Sequence, residues 1–110
     1  MLHLMKLQSE PFYKILNGQK TIEMRLFDEK RQKIAINDDI LFTFDEESVL
    51  TKVKDLRVFK SFKELYEHYE PSELGYTKIS DVSYKKMEKY YSLEDIKKYG
   101  VIAIKIEVQK

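Results

Sequence analysis

The sequence predicts an α+β domain: a small mixed β-barrel of about five strands with three to four short helices. Three observations lead there. Apolar residues alternate with period 2 near the start, in the middle and at the end of the 110-residue chain. One helical pattern falls between the first two strands and the others come late. That order lacks the strict strand–helix alternation of a doubly wound parallel sheet, and it suits a curved or barrel-like sheet with helices at its ends. There is also no internal repeat and no low-complexity segment, so residues 1–110 read as one domain.

"LHLMKL" (Leu2 to Leu7) alternates and reads as a first strand. "SEPFYKILNG" reads as a helix: Ser9 can cap it, Pro11 sits in its first turn, and Phe12, Ile15 and Leu16 share a face. Asn17-Gly18 stops it, because glycine takes the left-handed conformation a helix end needs. "TIEMRLF" reads as a strand with Ile22, Met24 and Leu26 on one side and Thr21, Glu23 and Arg25 on the other. "DEKRQK" (Asp28 to Lys33) is a charged connection.

"DILFTF" is a strand with Ile40, Phe42 and Phe44 on one face. "SVLTKVKDLRVF" is a longer strand whose apolar parity changes after Val53, as a β-bulge near Lys54-Asp55 would produce. "SFKELYEHY" is a helix with a capping box, Ser61 to Glu64, and a face of Phe62, Leu65, Tyr66 and Tyr69, closed by Pro71. Glu70 to Thr77 is a loop around Gly75. Ser80 to Tyr91 holds a short helix with Tyr84, Met87 and Tyr91 on one side. "SLEDIKKYG" is a last short helix, capped by Ser92 and ended by Gly100. "VIAIKIEV" is the final strand, burying Ile102, Ile104, Ile106 and Val108.

Composition narrows the function classes. Hydrophobic residues make up 43% and charged residues 35%, enough for one core under a solvated surface. Net charge is only +1, so a polyanion partner would have to be met by local clustering. The chain has no cysteine, which excludes disulfides, thiolate metal sites and cysteine nucleophiles. His3 and His68 are far apart and form no HExxH-type pair, so neither a metal nor another cofactor is expected. No apolar run approaches the roughly 20 residues of a membrane span, and "MLHLMKLQSE" lacks the pattern of a signal peptide; a cytoplasmic location is the expectation.

The chemistry concentrates in "NGQKTIEMR", Asn17 to Arg25. Side chains two apart on a strand share a face, so Glu23 and Arg25 lie roughly 6.5–7 Å from one another, with Lys20 in the turn before. Arginine offers a planar fork and lysine a point charge, both suited to phosphate or a polar base edge. A partly buried glutamate can serve as a general base or accept a ring N–H. The bland alternative is a strand face of paired surface charges, worth about 0–1 kcal/mol per exposed pair.

"GQKTIEMR" resembles the G-x-K-T-x-E-x-R signature of ASCH domains, a family with the PUA-like fold. The resemblance continues through "RLFDEKRQKIAINDDILF", "VFKSFKELYE" and "YYSLEDIKKYGVIAIKIE" in the family's order. It implies a β-barrel with a cleft beside the first helix, and a ligand that is RNA or a nucleotide or nucleoside. Relatives so resembled bind RNA, cleave it, or hydrolyse the amide of acetylated cytidine. Two departures stand out. The turn before "DILF" carries Asn37-Asp38 instead of Gly-Asp, and asparagine tolerates the left-handed conformation well. In the amidohydrolase members a nucleophilic threonine lies three residues after the lysine, where this chain has Glu23. Thr21 is one residue after Lys20.

The expected ligand set is therefore Lys20, Thr21, Glu23 and Arg25, with Lys20 and Glu23 also the candidate catalytic pair. Lys30, Arg31 and Lys33 could widen a basic rim, and Ser61 marks a helix start that could meet an anion. Tyr84, Tyr90, Tyr91 and Tyr99 are candidates for stacking on bases or for core packing. Glu70 and Glu73 follow the helix after which the amidohydrolase members keep an acidic proton donor. Three readings stay open: a module binding RNA or a nucleoside, a hydrolase, and a non-catalytic protein-interaction domain.

Overall fold

The computed structural model describes residues 1–110. The first strand, β1 (Leu2–Lys6), is followed by helix α1 (Ser9–Leu16) and strand β2 (Ile22–Leu26). A 3-10 turn at Arg31–Lys33 leads to β3 (Asp39–Phe44) and the long β4 (Glu47–Phe59). Then come α2 (Phe62–His68), two 3-10 turns at Ile79–Asp81 and Tyr84–Lys89, α3 (Leu93–Tyr99) and β5 (Val101–Val108). The strands form one sheet in the order β1-β3-β4-β5-β2, with β1 and β3 parallel and the other pairs antiparallel. β1 and β2 are the two edges, so the curved sheet is a half-barrel with an open seam between them.

The register of β4 explains its parity change. Val53 pairs with Ile106 and Asp55 with Lys105, so Lys54 is the extra residue of a bulge. The slip turns Leu56 onto the core that also holds Val49 and Val53. At the turn into β3, Asn37 takes a φ of 77°, as its sequence position requires. The carboxylate of the next residue, Asp38, accepts from the Ala35 N–H and meets His3 Nε2 at 2.8 Å. The His3 contact, then the Ala35 N–H, hold the Asp38 pKa down to about 2.

Two cores lie on opposite faces of the sheet. The concave face, with Phe12 and Ile15 of α1, buries Met5, Ile40, Phe42, Val53, Ile102 and Ile104. On the other face Ile22, Met24, Leu26, Val101 and Ala103 pack under Phe62 and Leu65 of α2 and Ile96 of α3. β5 is therefore covered on both faces over Val101–Ile104, where one buried face is expected from alternation. Burying each large apolar side chain here contributes about 1.5–3 kcal/mol.

Other local expectations shift as well. Gln8, not Ser9, is the N-cap of α1: its carbonyl accepts the first helical bond, from Phe12, and no side chain caps the end. Leu16 is 41% exposed, because only Phe12 and Ile15 of α1 reach the core. Ser61 and Ser92 do cap α2 and α3, accepting from the N–H groups of Glu64 and Asp95. The stretch Ser80 to Tyr91 is built of 3-10 turns instead of an α-helix, with i→i+3 bonds such as Lys86 N–H to Ser83 O. Three-residue spacing eclipses in a 3-10 turn, which puts Tyr84 and Met87 together against the second core.

Candidate functional site

The register of β2 on β5 places Glu23 opposite Ile104 and Arg25 opposite Ile102. Directly opposite residues share a face, so both charged side chains point to the concave side, at the open seam. Glu23 is 3% exposed. Its Oε1 lies 3.1 Å from Lys20 Nζ and accepts from the Met24 N–H at 3.2 Å. Its Oε2 accepts from Arg25 Nε and lies 2.9 Å from the second nitrogen of that fork. All the lone pairs of the carboxylate are thus engaged. Burial alone would raise the Glu23 pKa. The charges of Lys20 and Arg25, with their hydrogen bonds, outweigh it and hold the group below its ordinary value, as a carboxylate.

Both cations keep donors to spare. Lys20 is 10% exposed at its side chain, and Glu23 is its one ion-pair partner. Arg25 Nη2 donates to the Lys6 carbonyl at 3.0 Å, which ties β2 to the end of β1 across the seam. The other terminal nitrogen, Nη1, has no bond to the protein.

The backbone explains how Lys20 gets there. Gly18 takes a φ of 77° after the Asn17 cap, and the Gln19 and Lys20 N–H groups fold back onto the Lys14 carbonyl. The 70–77 loop then closes over the lysine stem. Glu73 O accepts from both Thr21 and Ile22 N–H, and Lys14 Nζ donates to Gly75 O at 2.7 Å. A Cβ at Gly75 would sit 3.2 Å from two Lys20 side-chain carbons, and its φ is +95°, so glycine is required twice over.

These groups form the floor of a cleft of about 620 Å³, between α1 and the 66–91 stretch. Five cations line it (Lys6, Lys14, Lys20, Arg25 and Lys86) against three carboxylates (Glu10, Glu23 and Asp81). The surplus of two positive charges exceeds the +1 of the whole chain. Tyr66, Tyr76, Tyr90 and Tyr91 also line it. The Tyr66 and Tyr76 hydroxyls are 2.8 Å apart, and burial foremost pushes the Tyr66 phenol far up, so it stays neutral. Lys86 Nζ lies 5.5 Å from the centre of the Tyr76 ring.

Of the residues singled out in the sequence, Lys20, Glu23 and Arg25 converge here. Thr21 is adjacent but outside the lining; its N–H goes to Glu73 and its carbonyl to Ile106. Lys30, Arg31 and Ser61 are away from the cleft: Arg31 pairs with Asp28 at 3.0 Å, and Ser61 caps α2. Glu70 and Glu73 are also outside the lining, and the acids present are Glu10, Glu23 and Asp81. Among the tyrosines, Tyr90 and Tyr91 line the cleft, Tyr84 packs on the second core, and Tyr99 donates to Glu29. Sequence reasoning missed Lys14, Tyr66, Tyr76 and Lys86. Tyr66 and Tyr76 share a helix–loop pair ten residues apart, but the contact of Lys14 with Gly75 spans 61 positions and has no local signal. No group of three His, Asp or Glu side chains is arranged to hold a metal ion. No helix is long and apolar enough to cross a membrane.

A family model of the ASCH domain matches residues 5–110. The crystal structure of the hypothetical protein PH0355 is similar over 99% of this chain and 100% of that one, at 38% identity and a TM-score of 0.86. The solution NMR structure of protein PF0455 from Pyrococcus furiosus is similar over 100% and 99%, at 34% identity and a TM-score of 0.77. The crystal structure of a serine-to-alanine mutant of ZmASCH from Zymomonas mobilis shares the fold, covering 96% of this chain and 67% of that one at 14% identity and a TM-score of 0.70. No protein of curated function matches the chain. The chain belongs to the ASCH domain family, and its half-barrel with short helices is the small α+β, PUA-like fold expected of it.

Proposed function

We propose that this ASCH domain is an RNA-binding module that takes one nucleotide unit of a single strand into the cleft at the seam. The observation that carries the reading is the buried carboxylate of Glu23, which holds Lys20 and Arg25 in place in the cleft lining while both keep unused donors. A surplus of positive charge suits the RNA backbone, and tyrosines in the lining suit a base. The volume is that of a small-ligand pocket, large enough for a nucleoside.

Glu23 is a positioning residue in this reading, not a general base. A base needs a lone pair and a pKa near working pH, whereas Glu23 has its oxygens occupied and its pKa lowered. The Glu23 position is also where the amidohydrolase relatives keep a threonine, and Thr21 has its main chain tied down outside the cleft.

The test is fluorescence anisotropy with a labelled, mixed-sequence single-stranded RNA. Affinity is expected to fall with added salt. Lys20→Ala should weaken binding about 10-fold, the value of one charge-assisted hydrogen bond. An affinity unchanged by Lys20→Ala contradicts the reading. So does turnover: release of acetate from acetylated cytidine, or RNA cleavage abolished by Glu23→Gln, would make the domain a hydrolase.

A further inference from the structure

Lys14, in the last turn of α1, meets Lys20 by two routes. The first is main chain. The Lys14 carbonyl accepts from the N–H groups of Gln19 and Lys20, at 2.8 and 3.0 Å, which fixes the backbone from which Lys20 projects. Any residue at position 14 supplies that carbonyl. The second route needs the lysine side chain. Its Nζ donates to the Gly75 carbonyl at 2.7 Å, and that carbonyl makes no main-chain bond. A Cβ at Gly75 would lie 3.2 Å from Lys20 Cβ and Cδ, so the Gly75 main chain lies against the Lys20 stem. Lys14 thus holds Gly75, and Gly75 bears on Lys20. The same loop reaches β2 through Glu73 O, which accepts from the Thr21 and Ile22 N–H groups at 3.0 Å.

The cations of the cleft are not equivalent. The Lys14 ammonium also lies 2.9 Å from Glu10 Oε1, one helical turn earlier. Two of its three hydrogens are committed within the protein, and its charge is matched by a carboxylate. Lys20 shares its single carboxylate, Glu23, with Arg25, so that group of three keeps a net positive charge. We propose that Lys14 is a positioning residue for Lys20: its ammonium clamps the Gly75 loop onto the Lys20 stem, and the phosphate goes to Lys20 and Arg25 instead of Lys14. A lysine has much rotamer freedom to lose when it grips a ligand, and a stem restrained in advance loses less of it on binding. The effect on affinity rests on the RNA-binding reading above; the clamp itself does not.

The experiment uses Lys14→Met, which removes the ammonium and keeps the stem, alone and combined with Lys20→Ala. Amide hydrogen exchange reads the clamp without any ligand. Thr21 and Ile22 should exchange about 10-fold faster in Lys14→Met, the usual value of one charge-assisted hydrogen bond, with Asn37 and Val53 unchanged at the far end of the sheet. Anisotropy with mixed-sequence single-stranded RNA reads the consequence. Lys14→Met should weaken binding about 5-fold with the salt slope kept, and the loss should vanish in the Lys20→Ala background, because the two residues act through one contact. An equal loss in both backgrounds with a lower salt slope makes Lys14 a phosphate contact and overturns the positioning role. Unchanged exchange at Thr21 and Ile22, or a rise shared by Asn37 and Val53, overturns the clamp. A wild-type protein that binds no RNA overturns the RNA-binding reading, and the exchange pattern then decides the clamp alone.

Discussion

Two charge-rich stretches lie almost side by side in the chain, Lys20 to Arg25 and Asp28 to Lys33, and the fold treats them in opposite ways. In the first, Lys20, Glu23 and Arg25 are drawn to the open seam of the half-barrel, with Glu23 3% exposed and its cations 10% and 14% exposed at their side chains. In the second, Lys30 and Lys33 are exposed, and Arg31, 17% exposed at its side chain, folds back onto Asp28 three residues earlier, away from the seam. What separates them is period and anchoring, not charge. Glu23 and Arg25 are two apart on a strand whose intervening residues, Ile22, Met24 and Leu26, are locked in the second core. The Asp28–Lys33 connection has no buried residue to aim it.

Removing the hub of the first cluster should have the largest effect. Glu23→Ala strands two cations with little access to water, and should cost about 3–5 kcal/mol in urea unfolding. Acid offers a graded version of the same loss. A carboxylate whose folded pKa lies below its unfolded value adds stability that is full above the unfolded value, near 4.5, and is lost as pH falls through the folded one. The stability difference between wild type and Glu23→Gln should therefore hold at neutral pH and shrink steadily below about pH 4.5. A difference that stays constant down to pH 3 would mean that Glu23 is not ionised in the fold.

Gly75→Ala comes next. It forces a positive φ on a residue with a Cβ and presses that Cβ against the Lys20 stem. A loss of about 1–3 kcal/mol is expected, with weaker RNA binding from a displaced Lys20. The smallest effect belongs to the second cluster. Lys30→Ala, at an exposed lysine with no ion-pair partner, should change stability by less than about 0.5 kcal/mol and leave RNA affinity as it was. A binding defect in Lys30→Ala equal to that of Lys20→Ala would erase the distinction between the two stretches.

The same contrast marks what the sequence could reveal. Short-range rules were legible: the bulge after Val53, the Ser61 and Ser92 caps and the stop at Gly18 follow from neighbouring residues, while the left-handed Asn37 was expected from the resemblance, which has glycine there. The pairing of Glu23 with Arg25 was legible too, because strand alternation puts them on one face, and the stop at Gly18 set Lys20 in the turn just before them. Alternation also suggested one buried face for β5, and the second face is buried only because α2 and α3 return to cover it. Most of the cleft wall escaped notice for the same reason. Lys14, Tyr66, Tyr76 and Lys86 meet through loop closure around Gly75 and through 3-10 turns that helical spacing does not announce.

The central claim is that the seam cleft, and not the neighbouring basic connection, is where a ligand binds. An amide-resolved NMR titration of the 15N-labelled protein with mixed-sequence single-stranded RNA is the direct test. The account predicts shifts that saturate together at Lys20, Met24, Arg25, Gly75 and Tyr76, with Lys30 to Lys33 unmoved. Shifts centred on Asp28 to Lys33 with the cleft silent would contradict it.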